Sequence, residues 1–153
     1  SDILINVMNL TKDKNSRFYN EGYFDEKYLL KAKKPLIFIN VTRGEIAPEA
    51  TLLKLYGEGK ITGIAADVFS QESELTDYLR ANDFTGCRNE NILAAKEIID
   101  EALSRKSNFY VQPHQGFNSD IAAKTKATEA MNHVVFWLKN GKDHFKEQLP
   151  YYK

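Results

Sequence analysis

Short apolar runs alternate along the chain with longer segments whose apolar residues recur at helical spacing. The short runs have the length of buried strands, and polar or turn-forming residues bound them. The predicted strands cover residues 3–7, 36–41, 61–66 and 109–111. The predicted helices cover residues 20–33, 48–58, 92–103 and 118–140. This alternation predicts an α/β fold, Rossmann-like, with a parallel sheet and flanking helices.

The helices differ in how clearly the pattern defines them. The longest, 118–140, carries one apolar stripe, and we expect that side to face inward. The stripe consists of Ile121, Thr125, Thr128, Met131, Val134, Val135 and Leu138. Residues 70–91 are mostly polar and predict no more than a short helix near 75–80.

Composition excludes several classes of function. The chain has 153 residues, 42% of them hydrophobic, and 21 basic residues balance 21 acidic ones. A neutral chain offers no field that attracts nucleic acid or an anionic membrane, so neither partner is expected. Cys87 is the only cysteine, which excludes an internal disulfide and a cysteine-rich metal site and fits a reducing, cytoplasmic compartment. No metal is expected, and no apolar run approaches the roughly 18 residues of a membrane span.

Four charged or titratable residues share one predicted position in the sheet. Arg43, Asp67 and His114 each lie just beyond the carboxyl end of a predicted strand, and Glu72 comes five residues after Asp67. The carboxyl ends of parallel strands open on the same edge, where α/β proteins bind ligands. Each residue alone has an ordinary alternative as a surface ion pair, a solvated turn or an exposed acid. Together they offer a guanidinium, a carboxylate and an imidazole at one edge, which is a workable acid–base site.

The chemistry that suits this set follows from the groups themselves. A guanidinium holds a carboxylate through two parallel hydrogen bonds. A histidine gives or takes a proton near neutral pH, and a glutamate beside it favours the imidazolium form. These parts would serve the interconversion of a carbonyl and an alcohol next to a substrate carboxylate.

The residues around these positions resemble motifs of the D-isomer-specific 2-hydroxyacid dehydrogenases. Asn40–Glu45 is similar to the family's Asn-Thr-Ala-Arg-Gly signature, and Ala66–Phe69 with Glu72 to its Asp-Val-Phe segment and catalytic glutamate. Pro113–Gly116 is similar to its Pro-His motif, and residues 5–11 resemble a further loop less faithfully. The match runs from residue 1 to about residue 140 with the motifs in the family's order. The resemblance implies an NAD-dependent oxidoreductase that acts on a 2-oxo or 2-hydroxy acid.

The resemblance also implies roles for individual residues. Arg43 would hold the substrate carboxylate and polarise the keto oxygen. His114 would donate the proton in reduction and accept it in oxidation, and Glu72 would orient His114 and favour its protonated form. Because residues 71–74 lack the family's usual proline, the role of Glu72 rests on a reshaped loop.

The resemblance extends to the cofactor. Asp67 would bind the nicotinamide carboxamide, and Thr42 and Gly116 would line the cofactor site, with Arg43 and His114 beside the nicotinamide. NAD is the expected cofactor, and NADP stays open because the family's discriminating acidic residue has no counterpart here.

One expected motif is missing from the sequence. The family's cofactor domain opens on a Gly-x-Gly-x-x-Gly turn, whereas Gly57 and Gly59 end a predicted helix here and the other glycines are isolated. We therefore expect residues 1–140 to form a partial NAD(P)-binding domain, with 141–153 as a tail, in a truncated chain that binds NAD poorly and turns over little. The sheet edge left open would favour a homodimer.

Two other functions stay open. The family includes NAD-sensing corepressors, so the chain could be a binding module without turnover. It could also be a structural half-domain whose motifs no longer act. The presence of Arg43, Glu72 and His114 together favours the enzyme, because a scaffold needs none of them.

Overall fold

The computed structural model describes residues 1–116 and 118–141. It divides into two compact units, Ser1–Gln115 and Gly116–Lys153, which are described separately. No helix among the described residues is long and apolar enough to cross a membrane.

The first unit is built on a four-stranded parallel sheet in the order β1-β2-β3-β4. The strands are β1 (Ile3–Asn6), β2 (Leu36–Asn40), β3 (Ile61–Ala66) and β4 (Phe109–Val111). Each strand therefore pairs with the next one along the chain, and every connection crosses over the sheet. The sequence prediction of an α/β fold with a parallel sheet is confirmed.

Helices form the connections between the strands. They are α1 (Glu26–Leu29), α2 (Glu49–Gly57), α3 (Glu72–Ala81) and α4 (Glu90–Ser104), with a 3₁₀ turn at Gly44–Ile46. Helix α3 is longer than the short helix predicted near residues 75–80. The Asn89 side chain caps α4 by accepting the backbone N–H groups of Asn91 and Ile92, which starts this helix two residues before its predicted start.

Helix α1 is much shorter than predicted, four residues instead of the fourteen of 20–33. Asp25 caps it, with Oδ1 accepting the Tyr28 N–H at 2.6 Å. The residues before Asp25 form a loop, because Asn20 accepts the Thr11 N–H and donates to the Asn9 carbonyl. Gly22 then turns with a φ of 67°. The apolar spacing there comes from aromatic side chains packed around a turn, and helical spacing alone does not distinguish the two.

The core lies where the helices pack against the sheet. Helix α2 packs on β3 and on α4, and α4 packs on β4. The largest fully buried apolar side chains are Phe38, Ile46, Leu55, Ile61, Ile64, Val68, Ile92 and Ile98. Their packing fixes the carboxyl ends of the strands relative to one another. The loops described below start from these strand ends.

The described part of the second unit contains helix α5 (Asp120–Asn140). Ser119 caps it by accepting the Ala122 N–H at 3.1 Å. The prediction that its apolar stripe faces inward is wrong for the described residues, because α5 has no buried residue. Ile121 and Leu138 are 80% and 71% exposed. An amphipathic pattern shows that a face is apolar, but it does not supply the surface that would bury it.

Candidate active site

Three loops leave the sheet side by side at its carboxyl edge. Asn40 of β2 is in register with Ala66 of β3, which in turn is in register with Val111 of β4. The segments that follow carry Arg43, then Asp67 and Glu72, then His114. The register therefore brings the loops bearing all four predicted residues to one edge, as the strand-end argument expected.

Glu72 and His114 form a direct pair. His114 Nδ1 lies 2.8 Å from Glu72 Oε2, and the two side chains are 35% and 39% exposed. The other carboxylate oxygen, Oε1, accepts the Phe69 N–H at 3.1 Å, so the backbone also fixes the carboxylate. When Nδ1 carries the proton and donates it to the carboxylate, Nε2 is the nitrogen that exchanges a proton with a reacting group. The pair is thus arranged for proton transfer at a surface that a small molecule can reach.

Asp67 holds the turn that presents His114. The His114 N–H donates to the Asp67 carbonyl at 2.7 Å, and the Gln115 N–H donates to Asp67 Oδ1, also at 2.7 Å. His114 itself has a φ of 52°, a left-handed conformation that few non-glycine residues adopt. Such a conformation persists where surrounding bonds fix it, and the two bonds to Asp67 do so here.

A buried asparagine pair holds the turn that carries Arg43. Asn6 Nδ2 donates to Asn40 Oδ1 at 2.9 Å, and both residues are almost completely buried. Asn40 in turn donates through Nδ2 to the Arg43 carbonyl at 3.1 Å and accepts the Thr42 N–H at 3.3 Å. The backbone of the arginine turn is therefore tied to the ends of two strands.

The Arg43 side chain stands apart from the Glu72–His114 pair. It is exposed, and its Nη1 donates to the Thr42 carbonyl at 2.7 Å. Among the described residues it forms no hydrogen bond or ion pair with Glu72 or His114. The structure thus joins two of the three predicted catalytic residues directly and places the third on the neighbouring loop.

Gly44 brings the arginine turn against the loop that carries Glu72. A Cβ built on Gly44 would lie 2.0 Å from the Phe69 carbonyl carbon and 2.0 Å from the Ser70 nitrogen. Real Cβ atoms do not approach backbone this closely, so only glycine permits this contact. Backbone contact between the two loops explains why a glycine follows the arginine.

Glu49, the first residue of α2, also contacts the loop that carries Glu72. It is only 3% exposed, and its Oε1 accepts the Ser70 N–H at 2.6 Å. Burial raises the pKa of Glu49 to about 7, with Glu45 adding to the rise and the hydrogen bonds from Ser70 opposing it. Sequence reasoning assigned Glu49 no role beyond the start of a helix.

A cavity of about 380 Å³ adjoins the Glu72–His114 pair. Apart from the pair, its walls are mainly apolar, and they come from α3, α4 and the loop after β4. The lining includes Phe69, Leu75, Leu79, Ile99, Leu103, Val111 and Pro113.

The remaining predicted residues take different positions. Thr42 lies in the arginine turn, and its Oγ1 is buried without a hydrogen-bond partner among the described residues. Gly116 is the first residue of the second unit. Within the described ranges no group of three or more His, Cys, Asp or Glu side chains is arranged to hold a metal ion.

Comparison with known proteins points to one family. Residues 1–116 match the family described as D-isomer specific 2-hydroxyacid dehydrogenase, NAD binding domain. The D-lactate dehydrogenase of Staphylococcus epidermidis is 28% identical over 119 residues, which are 77% of this chain and 33% of that protein. Dehydrogenase efuE of Hormonema carpetanum is 25% identical over 121 residues, 79% of this chain and 24% of that protein. The chain therefore spans a third or less of the length of these relatives.

Solved structures share the fold. D-2-hydroxyisocaproate dehydrogenase superposes with a TM-score of 0.73 at 19% identity, covering 93% of this chain and 38% of that one. The D-lactate dehydrogenase of Aquifex aeolicus, solved with NAD and lactic acid, gives a TM-score of 0.69 at 23% identity over 95% of this chain and 40% of that one.

Proposed function

This chain belongs to the D-isomer specific 2-hydroxyacid dehydrogenase family, and from that premise we propose that it carries the catalytic residues of an NAD-dependent oxidoreductase. The reaction is the interconversion of a 2-oxo acid and a D-2-hydroxy acid. The observation that supports it most strongly is the 2.8 Å contact between Glu72 and His114 at the carboxyl edge of the sheet. An acid–base pair at this edge is what reduction of a carbonyl requires.

His114 is the proton donor and acceptor in this proposal. The nicotinamide, when bound, would supply the hydride for reduction at substrate C2. His114 gives a proton to the carbonyl oxygen as the C=O bond becomes C–OH, and it takes the proton back in oxidation. Glu72 fixes the orientation of the imidazole ring through its contact with Nδ1.

Arg43 is the substrate-carboxylate ligand in this proposal. A guanidinium has five N–H donors in a planar fork, and the bond from Nη1 to the Thr42 carbonyl engages one of the two Nη groups. Exposure at the edge beside the Glu72 loop leaves the guanidinium accessible to a substrate carboxylate. Binding there would orient C2 and its oxygen toward His114.

The nicotinamide end of an NAD site fits the residues present. Asp67 places a carboxylate at this edge for the carboxamide, and the buried Thr42 Oγ1 without a partner among the described residues offers a polar group to a ligand. Gly116 belongs to the second unit, and its role at the cofactor stays a prediction. The phosphate end does not fit, because no Gly-x-Gly-x-x-Gly turn occurs in the 153 residues. Gly57 instead ends α2, and Gly59 turns away from it with a φ of 69°.

We therefore infer that these 153 residues alone bind NADH weakly and turn over little. Isothermal titration of the chain with NADH tests this directly. The expected result is no saturable heat at micromolar concentrations, since a pyrophosphate normally rests on the backbone N–H groups of that turn. A micromolar dissociation constant would contradict the inference.

Catalysis is tested on the full product of the gene. NADH oxidation is measured with a panel of 2-oxo acids of increasing side-chain size, and NADPH is run in parallel. Turnover of at least one 2-oxo acid is expected. Saturable NADH binding without turnover of any of them would instead support an NAD-sensing binding module, and neither binding nor turnover would support a structural role.

We also propose that the chain forms a homodimer through the outer edge of β1. That edge has no strand partner among the described residues, and Ile3 and Ile5 of the same strand are each 52% exposed. Unpaired strand edges with apolar side chains favour association. Light scattering should give twice the monomer mass at high concentration, and a monomer there would count against the proposal.

A cytoplasmic location is our inference from the thiol of Cys87. It is a free thiol and buried, and a reducing compartment preserves such a group. Fractionation of the source cells with an antibody to the chain tests this, and recovery outside the cytoplasmic fraction would overturn it.

A further inference from the structure

Glu49 is the one strongly buried carboxyl group of the described residues that the proposed chemistry leaves unused. We propose that Glu49 is a positioning residue, which holds the Phe69–Ser70 peptide and thereby keeps the Glu72 carboxylate in place against His114. This inference deepens the proposed function and rests on it, since the Glu72–His114 pair is the proton-transfer pair of that proposal.

The contact between Glu49 and the loop crosses from one element to another. Glu49 Oε1 accepts the Ser70 N–H at 2.6 Å, and the two residues are 21 positions apart in the sequence. A first-turn acid commonly serves its own helix, where the negative charge suits the exposed N–H groups. Glu49 instead directs this oxygen to a loop outside the helix, so the structure gives it a task beyond starting α2.

The peptide that Glu49 holds is next to the one that fixes Glu72, and the two share the Cα of Phe69. The Phe69 N–H donates to Glu72 Oε1 at 3.1 Å, while the next N–H along the chain, that of Ser70, donates to Glu49. Gly44 also packs against the peptide between Phe69 and Ser70, too closely for a Cβ to fit between them. Because the two peptides share the Cα of Phe69, displacement of the Phe69–Ser70 peptide would shift Phe69 and with it the N–H that Glu72 Oε1 accepts.

The residue between the peptide and Glu72 requires such support. Gln71 lies at φ 51° and ψ 45°, a left-handed conformation, although it is not a glycine. A backbone of this kind persists only where neighbouring contacts fix it. Ser70, just before Gln71, is fixed by its hydrogen bond to Glu49. Glu72, just after Gln71, is fixed by the hydrogen bond that its carboxylate accepts from Phe69.

The test follows the imidazole of His114 in the 153-residue chain, without substrate or cofactor. Long-range ¹H–¹⁵N spectra report which ring nitrogen carries the proton, and a His114→Gln sample identifies its signals among the three histidines. The wild type should show the Nδ1–H form that donates to Glu72. Glu49→Leu should shift at least a third of the population to the Nε2–H form, whereas Glu49→Gln, whose amide oxygen still accepts the Ser70 N–H, should retain the wild-type spectrum.

Glu90→Gln is the matched control. Glu90 is the first residue of α4, as Glu49 is of α2, but it is exposed. It should leave the His114 signals unchanged. A dispersed, folded spectrum of Glu49→Leu with an unaltered His114 would overturn the proposal, and so would an equal change in Glu90→Gln.

A measurement on the wild type decides the matter if Glu49→Leu does not fold. Hydrogen exchange of the Ser70 amide should be as slow as that of the amides of β3, because its acceptor is buried. Exchange as fast as that of Gly86, a loop residue on which an added Cβ would meet nothing within 4 Å, would overturn the proposal. Because neither experiment uses substrate or NADH, their failure is distinct from failure of the proposed dehydrogenase activity.

Discussion

The two halves of the site are held by different chemistry. The arginine turn after β2 is tied down by the amide side chains of Asn6 and Asn40, while its functional side chain lies exposed on the Thr42 carbonyl. The loops after β3 and β4 are tied down by carboxylates, and their functional side chains, Glu72 and His114, already touch. The pair that we propose for proton transfer is therefore preorganised, whereas Arg43, the proposed carboxylate ligand, bonds only to its own loop among the described residues. Four substitutions test the difference between these halves, and they follow in order of decreasing expected effect.

His114→Gln should break the preorganised half most severely. General acid–base groups contribute roughly 10²- to 10⁴-fold to rate, so kcat of the full gene product should fall by about that factor. KM for the 2-oxo acid should change little, because Arg43 is the proposed ligand of the carboxylate. Steady-state NADH oxidation checks this, with His133→Gln as the control. A kcat within about threefold of wild type would show that His114 does not transfer the proton.

Protonation should affect the carboxylate-held half and leave the amide-held half alone. Because burial raises the folded-state pKa of Glu49 from 4.5 to about 7, the folded chain binds the extra proton between these values. Stability from this group is thus fully present below pH 4.5 and is lost as pH rises toward 7 and above. A shift of this size corresponds to roughly 3 kcal/mol.

Glu49→Gln removes that dependence. Urea unfolding at pH 4.5 and pH 8 should show the variant gaining roughly 3 kcal/mol on the wild type between the two values. Glu90→Gln should track the wild type at both. Parallel behaviour of Glu49→Gln and wild type would mean that the Glu49 carboxyl titrates normally.

Asn6→Ala should loosen the amide-held half. It leaves Asn40 Oδ1 without the donor from Asn6 at a fully buried position, which costs about 2 kcal/mol of unfolding free energy. Urea unfolding at pH 5 and pH 8 should give the same loss at both, since amides do not titrate. Asn15→Ala, at an exposed loop position, is the control. A loss below about 0.5 kcal/mol would show that the pair does not hold the turn.

Arg43→Lys should produce the smallest effect. Lysine keeps the charge but loses the planar fork, so KM for the 2-oxo acid should rise about tenfold, while kcat falls less. Unfolding free energy should stay within about 0.5 kcal/mol of wild type, because the side chain is exposed. An unchanged KM would remove Arg43 from the substrate site.

Sequence reasoning was strongest where local pattern decides the structure. Strands β3 and β4 begin and end where apolar runs predict, and the strand-end rule placed the loops of Arg43, Asp67 and His114 on one edge. Glu72 and His114 are 42 residues apart, so no local pattern predicts their direct contact. The family resemblance implied it.

Sequence reasoning missed features that depend on contacts between residues far apart in the chain. The Asn6–Asn40 bond needs the register of two strands, although asparagines at both strand ends were a visible signal. The Glu49–Ser70 bond needs the packing of α2 under a loop, for which the sequence offers no local sign. The stripe of α5 failed for a related reason. Its spacing predicts an apolar face, but burial of that face needs a packing surface that the spacing does not predict.

A double-mutant cycle on kcat of the full gene product tests the central claim most directly, namely that Glu72 and His114 act as one proton-transfer pair. The variants are Glu72→Gln, His114→Gln and the two combined. Groups that act as a unit give non-additive losses, so the double variant should be no slower than His114→Gln alone. Losses that multiply in the double variant, or a Glu72→Gln enzyme with wild-type kcat, would contradict the claim.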